Sequence, residues 1–355
     1  DVLLPEISRA IASRYRISKQ YEKAIPYYEV TLEKIPNQSS VYKYLAKCYL
    51  GMGDEEKWLE VLKSSLNIEV TGLQHARTRI DIASYYLKKR DFEQATYYAE
   101  AAADCYSSWS LTFAAAVAAI RGDQERAREL FQANDERYST FPMNTYYVAQ
   151  IYGFSENDPW FIKTKKRAMK SLGKPGPTLI NQYLAAMYHW RGQKPENAEG
   201  MINKIFKRKK DAWYGIPVAL LQLEQNKIQA MKRTLNATIN KSPRNENKYN
   251  RKTMKELAAL IRRELDFPSK PEALMNKLIE LQGSRNMSRE DFGFLAGKYM
   301  AIRGYEAEAV QLFYKGVAPG LTAWNGPLPY LELMDRGLDP YAVYRDEVPA
   351  YTPTK

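Results

Sequence analysis

The chain has 355 residues, a formal net charge of +12 and 45% hydrophobic residues, enough apolar material for two ordinary domains or for one extended array. It contains only two His and two Cys, and Cys48 and Cys105 stand far apart, which argues against a zinc site or a disulfide framework. We therefore expect folding without a metal, a cofactor or a disulfide.

Two features bear on the compartment. No stretch approaches the roughly 18 consecutive apolar residues of a membrane span, and the first residue is Asp1, without the basic and apolar regions of a signal peptide. These features predict a soluble piece of a longer protein. Free thiols favour a reducing, cytoplasmic compartment, but two cysteines are too few to exclude a periplasmic setting.

Small residues recur along the chain at a spacing of about 34 residues, which indicates a repeat architecture. In six of the predicted first helices, a small residue is followed three positions later by a Tyr or a second Ala, whereas the pattern is weak in 142–172, 212–242 and 253–282. The series consists of Ala12 and Tyr15, Ala46 and Tyr49, Ala83 and Tyr86, Ala115 and Ala118, Ala185 and Tyr188, and Ala296 and Tyr299. Because helices approach closely only where side chains are small, these positions predict the contacts within helix pairs.

A short turn leads from each first helix to a second helix. The turn sequences include "GMGDEEKW" at 51–58, "KRDFEQA" at 89–95, "RGDQERA" at 121–127, "RGQKPENA" at 191–198 and "RGYEAEA" at 303–309. Gly favours the end of one helix, and Asp favours the cap of the next. Trp58 stands where other second helices carry Ala, and it predicts a locally wider helix crossing or a slipped alignment.

The regularity of the repeat varies along the chain. Four regular pairs fill 1–141, degenerate and strongly basic pairs fill 142–282, and one further pair occupies 283–317. The segment 318–355 is rich in Pro, Gly and aromatic residues, which predicts a capping helix and an irregular tail. The sequence thus predicts an all-α fold of about nine antiparallel helix pairs.

This pattern resembles the tetratricopeptide repeat (TPR) family. The carried-over motif is a small residue and a Tyr on the first helix, an Ala and an aromatic on the second, and a Pro such as Pro36 at its end. The resemblance covers nearly the whole chain. It implies a right-handed α-solenoid that serves as a non-enzymatic protein-interaction scaffold.

The resemblance also implies that the first helices line a concave groove for a partner peptide. It assigns to that groove Arg9, Arg16, Lys43, Lys47, Arg77, Tyr146, Gln150, Phe154, Gln182, His189, Trp190 and Gln222. Rings, amides and cations are the groups that peptide capture uses, although Tyr146 and Phe154 fit equally well as core aromatics. The family's clamp for chaperone tails is not reproduced, because Tyr44 and Asp81 fall where it needs amide and cationic groups.

The positive charge is concentrated between 160 and 263. There 24 Lys and Arg stand against six Asp and Glu, and this balance of +18 leaves −6 for the rest of the chain. A solvated outer face, an acidic protein partner, nucleic acid, or an anionic membrane or polysaccharide surface all fit this pattern. The predicted basic patch comprises Lys163, Lys166, Arg167, Lys170, Lys207, Arg208, Lys209 and Lys210.

Recognisable catalytic motifs are absent from the sequence. "GKPGPT" at 173–178 lacks the spacing of a phosphate-binding loop, and His189 has no carboxylate, Cys or Ser at helical spacing to make it a base. We therefore predict a scaffold for a peptide or an acidic protein segment rather than an enzyme. The alternatives are a solenoid that binds nucleic acid or another polyanion through 160–263, and the regulatory arm of a larger enzyme.

Overall fold

The structure is a computed structural model that describes residues 4–138, 141–173, 178–209, 211–240, 248–283, 289–317 and 326–348. Within these ranges the regular elements are α-helices and one 3-10 turn, and no strand occurs. The prediction of an all-α fold is confirmed.

Two compact units divide the helices. The unit Asp1–Asp123 contains α1 (Pro5–Ile17), α2 (Tyr21–Lys34), α3 (Ser39–Met52), α4 (Glu55–Ser64), the 3-10 turn Ser65–Asn67, α5 (Gly72–Lys89), α6 (Phe92–Ala103) and α7 (Ser108–Arg121). We call it unit 1. Odd-numbered helices up to α17 are the first helices of the predicted pairs.

Unit 2 spans Gln124–Lys355. It contains α8 (Gln124–Arg137), α9 (Pro142–Ile151), α10 (Pro159–Gly173), α11 (Leu179–Arg191), α12 (Pro195–Lys209), α13 (Ala212–Glu224), α14 (Ile228–Asn240), α15 (Lys248–Glu264), α16 (Pro271–Gly283), α17 (Arg289–Ile302), α18 (Glu306–Gly316), α19 (Pro327–Met334) and α20 (Ala342–Arg345). The boundaries predicted from repeat regularity, at 141/142, 282/283 and 317/318, remain predictions.

Tight turns join the two helices of a pair. After α3, Gly53 takes the left-handed conformation at φ 84°, and the Asp54 carboxylate accepts a hydrogen bond from the Lys57 amide at 3.0 Å. Arg90 and Asp91 repeat this arrangement between α5 and α6, with Arg90 at φ 61°. The predicted Asp cap is therefore confirmed at both turns, and the predicted Gly stop is confirmed after α3, whereas Arg90 takes that place after α5.

Small side chains lie at the close contacts between helices. Ala12, Ala83, Ala115 and Ala185 are fully buried, and Ala46 is 1% exposed. This burial agrees with the close-packing role that their spacing predicts. Trp58 lies against the Tyr85 ring with 5.5 Å between centroids, and both border a cavity of about 170 Å³.

In unit 2 the last helices fold back onto the earlier ones. α19 packs against α9 as well as against α17 and α18, and α17 packs against α13. The Arg191 guanidinium at the end of α11 pairs with Asp335, just after α19, at 2.9 Å. In unit 2, the first helices α9 and α13 therefore pack against later helices of the same unit as well as against their own pair partners.

Candidate partner-binding face

The exposed sides of α1, α3 and α5 carry most of the cations that the resemblance assigns to a groove in unit 1. Arg9 lies on α1, Lys43 and Lys47 lie one turn apart on α3, and Arg77 lies on α5, all exposed to solvent. Within the described part of the chain, Arg9, Lys43 and Lys47 make no ion pair or hydrogen bond through their side chains. We call this surface the first-helix face.

Asp81 on α5 lies close enough to Lys43 and Lys47 of α3 for their charges to act on it. It is an exposed residue, but it lines the 170 Å³ cavity, where neighbouring atoms displace part of its water. Loss of hydration raises the pKa of Asp81, and the positive charges of Lys43 and Lys47 partly oppose that rise. The face is therefore basic with one acidic group at its centre.

Aromatic rings hold two arginines of this face in place. The Arg16 guanidinium lies 4.5 Å from the Tyr44 ring centroid, and its Nε donates to the Tyr28 hydroxyl at 3.2 Å. Arg77 lies 5.8 Å from the Trp109 ring centroid on α7. Such stacking orients a guanidinium while leaving its outer N–H groups available to an acceptor.

An apolar site adjoins these charges. The 170 Å³ cavity is lined by Leu50, Trp58 and Tyr85 on its apolar side and by Glu55, Asp81, Ser84 and Lys88 on its polar side. Glu55 is neutralised by an ion pair with Lys89 at 2.8 Å. Leu50 is 48% exposed, which leaves it open to an incoming side chain. Leu50, Asp81, Lys88 and Trp109 are site residues that the groove prediction missed, because only the packing of α3, α5 and α7 brings them beside the predicted cations.

The structure places four predicted groove residues of unit 2 in the interior. Tyr146 and Phe154 are each 8% exposed, Trp190 is 4% exposed and Gln222 is 5% exposed. Trp190 donates from Nε1 to the Glu224 carboxylate at 2.6 Å, and its ring lies 5.9 Å from Phe294 and 5.1 Å from Lys298 Nζ. In this arrangement α17 occupies the space that a partner would need to reach Trp190.

The aromatic residues of α9 and its following turn pack among themselves. Tyr146 stacks on Phe161 with 5.7 Å between centroids, and Phe154 packs on Trp160 with 4.6 Å between centroids. The structure thus gives Tyr146 and Phe154 the core positions that the sequence left open as an alternative.

Gln150, Gln182 and His189 are half-buried in unit 2. Loss of hydration lowers the pKa of His189, and the positive charge of Lys194 lowers it further. A neutral imidazole at neutral pH follows from both effects. These three side chains retain partial access to solvent, unlike Trp190.

The predicted basic patch divides into free and paired cations. Lys163, Lys166 and Lys170 lie exposed along one side of α10, and Lys207, Arg208 and Lys209 lie exposed at the end of α12. Arg167 differs, because its guanidinium pairs with the buried Asp135 carboxylate at 2.7 Å. Lys210 lies outside the described residues.

In the described ranges, no three His, Cys, Asp or Glu side chains come together as a set of metal ligands. Cys48 and Cys105 are free thiols, and burial raises the pKa of Cys48 to about 11 despite the opposing charge of Arg16. None of the helices in these ranges combines the length and apolarity needed to cross a bilayer.

Comparisons with known proteins add a likeness to solved structures. No family model and no curated protein matches the chain. Among solved structures, it is similar to the one titled as the crystal structure of the P58(IPK) TPR domain, at 13% identity and a TM-score of 0.26, covering 97% of this chain and 93% of that one. Function therefore has to be inferred from the surfaces of this chain.

Proposed function

We propose that this chain is a non-enzymatic interaction scaffold of the TPR type, which binds a peptide or acidic protein segment on the first-helix face of unit 1. The observation that carries the proposal is the set of exposed cations on α1, α3 and α5 that make no ion pair within the described residues. A ligand with acidic side chains would supply the missing partners.

Charge and apolar contact would contribute differently to binding. Each exposed ion pair adds only about 0 to 1 kcal/mol, so Lys43 and Lys47 would mainly select and steer an acidic segment. Leu50 and the adjoining cavity would supply apolar contact area for a side chain of the same segment. A peptide with both acidic and apolar residues fits this combination best.

The test starts from a partner identified by affinity pulldown with quantitative mass spectrometry. Reversing two charges of the face, in the double variant Lys43→Glu and Lys47→Glu, should weaken binding of that partner's segment about tenfold or more in a fluorescence titration. The matched control reverses two exposed lysines of α2, in the double variant Lys23→Glu and Lys34→Glu. It changes net charge equally and should alter affinity less than about twofold.

Two results would contradict the proposal. Equal losses in both double variants would show that only net charge matters, and no loss in either would place binding elsewhere. Circular dichroism should show unchanged helix content in both proteins, so that a loss of affinity reports on the surface.

A second candidate is polyanion binding through the basic region. The exposed side chains of Lys163, Lys166 and Lys170, without ion pairs in the described ranges, favour it. It predicts that affinity for labelled single-stranded RNA falls log-linearly and steeply with salt, and that reversal of these three charges removes most of that affinity. A role as the regulatory arm of a larger enzyme stays a further alternative.

A further inference from the structure

An open cleft separates the second helices α12 and α14 in unit 2, with α13 beneath it. Its volume is about 470 Å³, within the range of roughly 300 to 1,000 Å³ typical of ligand sites. The cleft is formed by α12, α13 and α14, whereas the first-helix face is formed by α1, α3 and α5. Nothing in the groove prediction pointed to it except Gln222, which forms part of its floor.

The polar groups of the floor are already satisfied. The Gln222 amide donates from Nε2 to Glu199 Oε1 at 2.9 Å, and its Oε1 accepts from the Thr234 hydroxyl at 2.9 Å. Glu199 also accepts from Lys227 Nζ at 2.9 Å. These groups therefore form hydrogen bonds with one another. The apolar surface of the cleft is contributed by Phe206, Ala230 and Ala237.

Two cations line the cleft without a partner. Lys207 on α12 and Arg233 on α14 are exposed, and neither makes an ion pair or hydrogen bond within the described residues. Two nearby lysines are paired, since Lys227 pairs with Glu199 at 2.9 Å and Lys232 pairs with Asp266 at 2.6 Å. Of these four cations, the two that line the cleft are therefore the two that make no ion pair.

A cleft of similar size in unit 1 provides the contrast. It measures about 480 Å³ and lies between α4 and α6, again between consecutive second helices. There Lys63 donates to the Tyr86 hydroxyl at 2.8 Å, and Arg79 donates to the Ala101 carbonyl at 2.8 Å. In the unit 1 cleft, Lys63 and Arg79 therefore have hydrogen-bond partners within the protein. The α12–α14 cleft differs, because Lys207 and Arg233 have none within the described residues.

We propose that the α12–α14 cleft is a second docking site, for a short peptide segment of a partner protein that carries an Asp or Glu next to an apolar residue. The carboxylate sits between Lys207 and Arg233, where the guanidinium offers a planar pair of donors. The apolar side chain packs against Phe206, Ala230 and Ala237. Charge complementarity and the satisfied floor select this ligand over a neutral peptide.

Nucleic acid fits the cleft less well. Single strands are held by stacking of bases on exposed aromatic rings, and Phe206, the aromatic residue of the lining, is only 8% exposed. The side-chain amide of Gln222 is already hydrogen-bonded to Glu199 and Thr234, so it is not available to recognise the edge of a base. The experiment therefore includes single-stranded RNA as the alternative ligand.

The experiment compares two charge reversals on the same helix. Lys207 lines the cleft, whereas Lys204, also exposed on α12, does not. In the full chain carrying Lys43→Glu and Lys47→Glu, which removes binding to the first-helix face, Lys207→Glu should weaken binding of a short fluorescein-labelled peptide of alternating Glu and Leu by about tenfold. Lys204→Glu carries the same net charge and should stay within about twofold of the parent protein.

A third variant blocks the cleft without changing its charge. In the protein that carries Lys43→Glu and Lys47→Glu, whose first-helix face no longer binds acidic segments, Ala237→Trp fills the apolar wall and should abolish saturable peptide binding, while thermal unfolding confirms that the protein is folded. A labelled peptide of alternating Lys and Leu should not bind. The double variant Lys43→Glu and Lys47→Glu should leave this cleft unaffected, so that failure here is distinguishable from failure of the first-helix face.

Three outcomes would overturn the proposal. They are equal losses for Lys204→Glu and Lys207→Glu, full binding by Ala237→Trp, and absence of saturable binding of the acidic peptide at millimolar concentration. Tighter binding of labelled single-stranded RNA than of the acidic peptide, lost on Lys207→Glu, would reassign the cleft to nucleic acid and also overturn it.

Discussion

Gly293 and Gly316 bring the backbones of α17 and α18 into direct contact. A Cβ atom added at Gly293 would lie 2.4 Å from the Gly316 Cα and 2.8 Å from the Leu312 carbonyl oxygen. Backbone atoms cannot move aside as a flexible side chain can. The separation of these two helices therefore depends on the absence of a side chain at Gly293.

We predict that Gly293→Ala lowers the free energy of unfolding by about 3 kcal/mol, at the upper end of typical overpacking costs. Denaturant unfolding followed by circular dichroism measures this change. Gly297→Ala is the graded comparison, because its Cβ would meet the Phe313 ring at 2.4 Å, and a ring can rotate away. Its cost should be smaller.

Gly200→Ala is the matched control for helix propensity. Gly200 lies in α12 with nothing within 4 Å of an added Cβ, so the substitution should stabilise by about 0.5 to 1 kcal/mol. Equal midpoints for Gly293→Ala and Gly200→Ala would disprove the close contact between α17 and α18.

At the scale of elements, one buried carboxylate organises the corner between α15 and α16. Glu264 Oε2 accepts from the Ser269 amide at 2.6 Å, and its Oε1 accepts from the Ser269 hydroxyl at 2.8 Å. Lys277 Nζ on α16 lies 3.5 Å from the same Oε1. Loss of hydration raises the pKa of Glu264, but these bonds and the Lys277 charge outweigh it and hold that pKa below its ordinary value.

This corner should make stability depend on acid pH. A carboxyl whose pKa is lowered by folding contributes fully above its unfolded pKa, and the contribution disappears as the pH falls through the lowered folded pKa. We predict that Glu264→Gln lowers the free energy of unfolding at neutral pH and flattens its decline in acid. Urea unfolding across a pH series measures both effects.

Glu280→Gln on the exposed side of α16 is the control for this measurement. It removes the same charge from the same helix pair and should keep the acid slope of the parent protein. An unchanged slope in Glu264→Gln would show that the α15–α16 corner does not depend on this ionised group.

At the scale of the whole molecule, the two units use their first helices differently. In unit 1, Arg9, Lys43 and Lys47 remain exposed on these helices. In unit 2, α17 and α19 pack onto earlier first helices, and Trp190 lies between Phe294, Lys298 and Glu224. Each unit must therefore be assigned a function from its own surface.

We predict that Trp190→Ala destabilises the protein by about 3 to 5 kcal/mol, the usual cost of removing a large buried aromatic side chain. Guanidinium unfolding measures this loss. Trp190→Phe keeps a ring against Phe294 and should cost less. An unchanged midpoint together with weakened partner binding would instead make Trp190 a groove anchor, as the family resemblance implies.

The repeat was predictable because its causes lie close together in sequence. Ala12 and Ala46 recur at the repeat spacing, and Asp54 caps a helix that begins at the next residue. In contrast, Arg191 and Asp335 are 144 residues apart, and no periodicity connects them. Lys170 and Arg167 look alike in sequence, yet only Arg167 meets the buried Asp135.

The sequence by itself determined the helices, their turns and the small residues that let them pair, because helix propensity, capping and close packing act within one repeat. Only the tertiary structure decided which cations and aromatics are accessible, because burial depends on helices that are distant in sequence. Trp190 is enclosed by α17, whereas Lys207 and Arg233 meet at an open cleft. Access to a partner is set by that long-range packing, which no single repeat encodes.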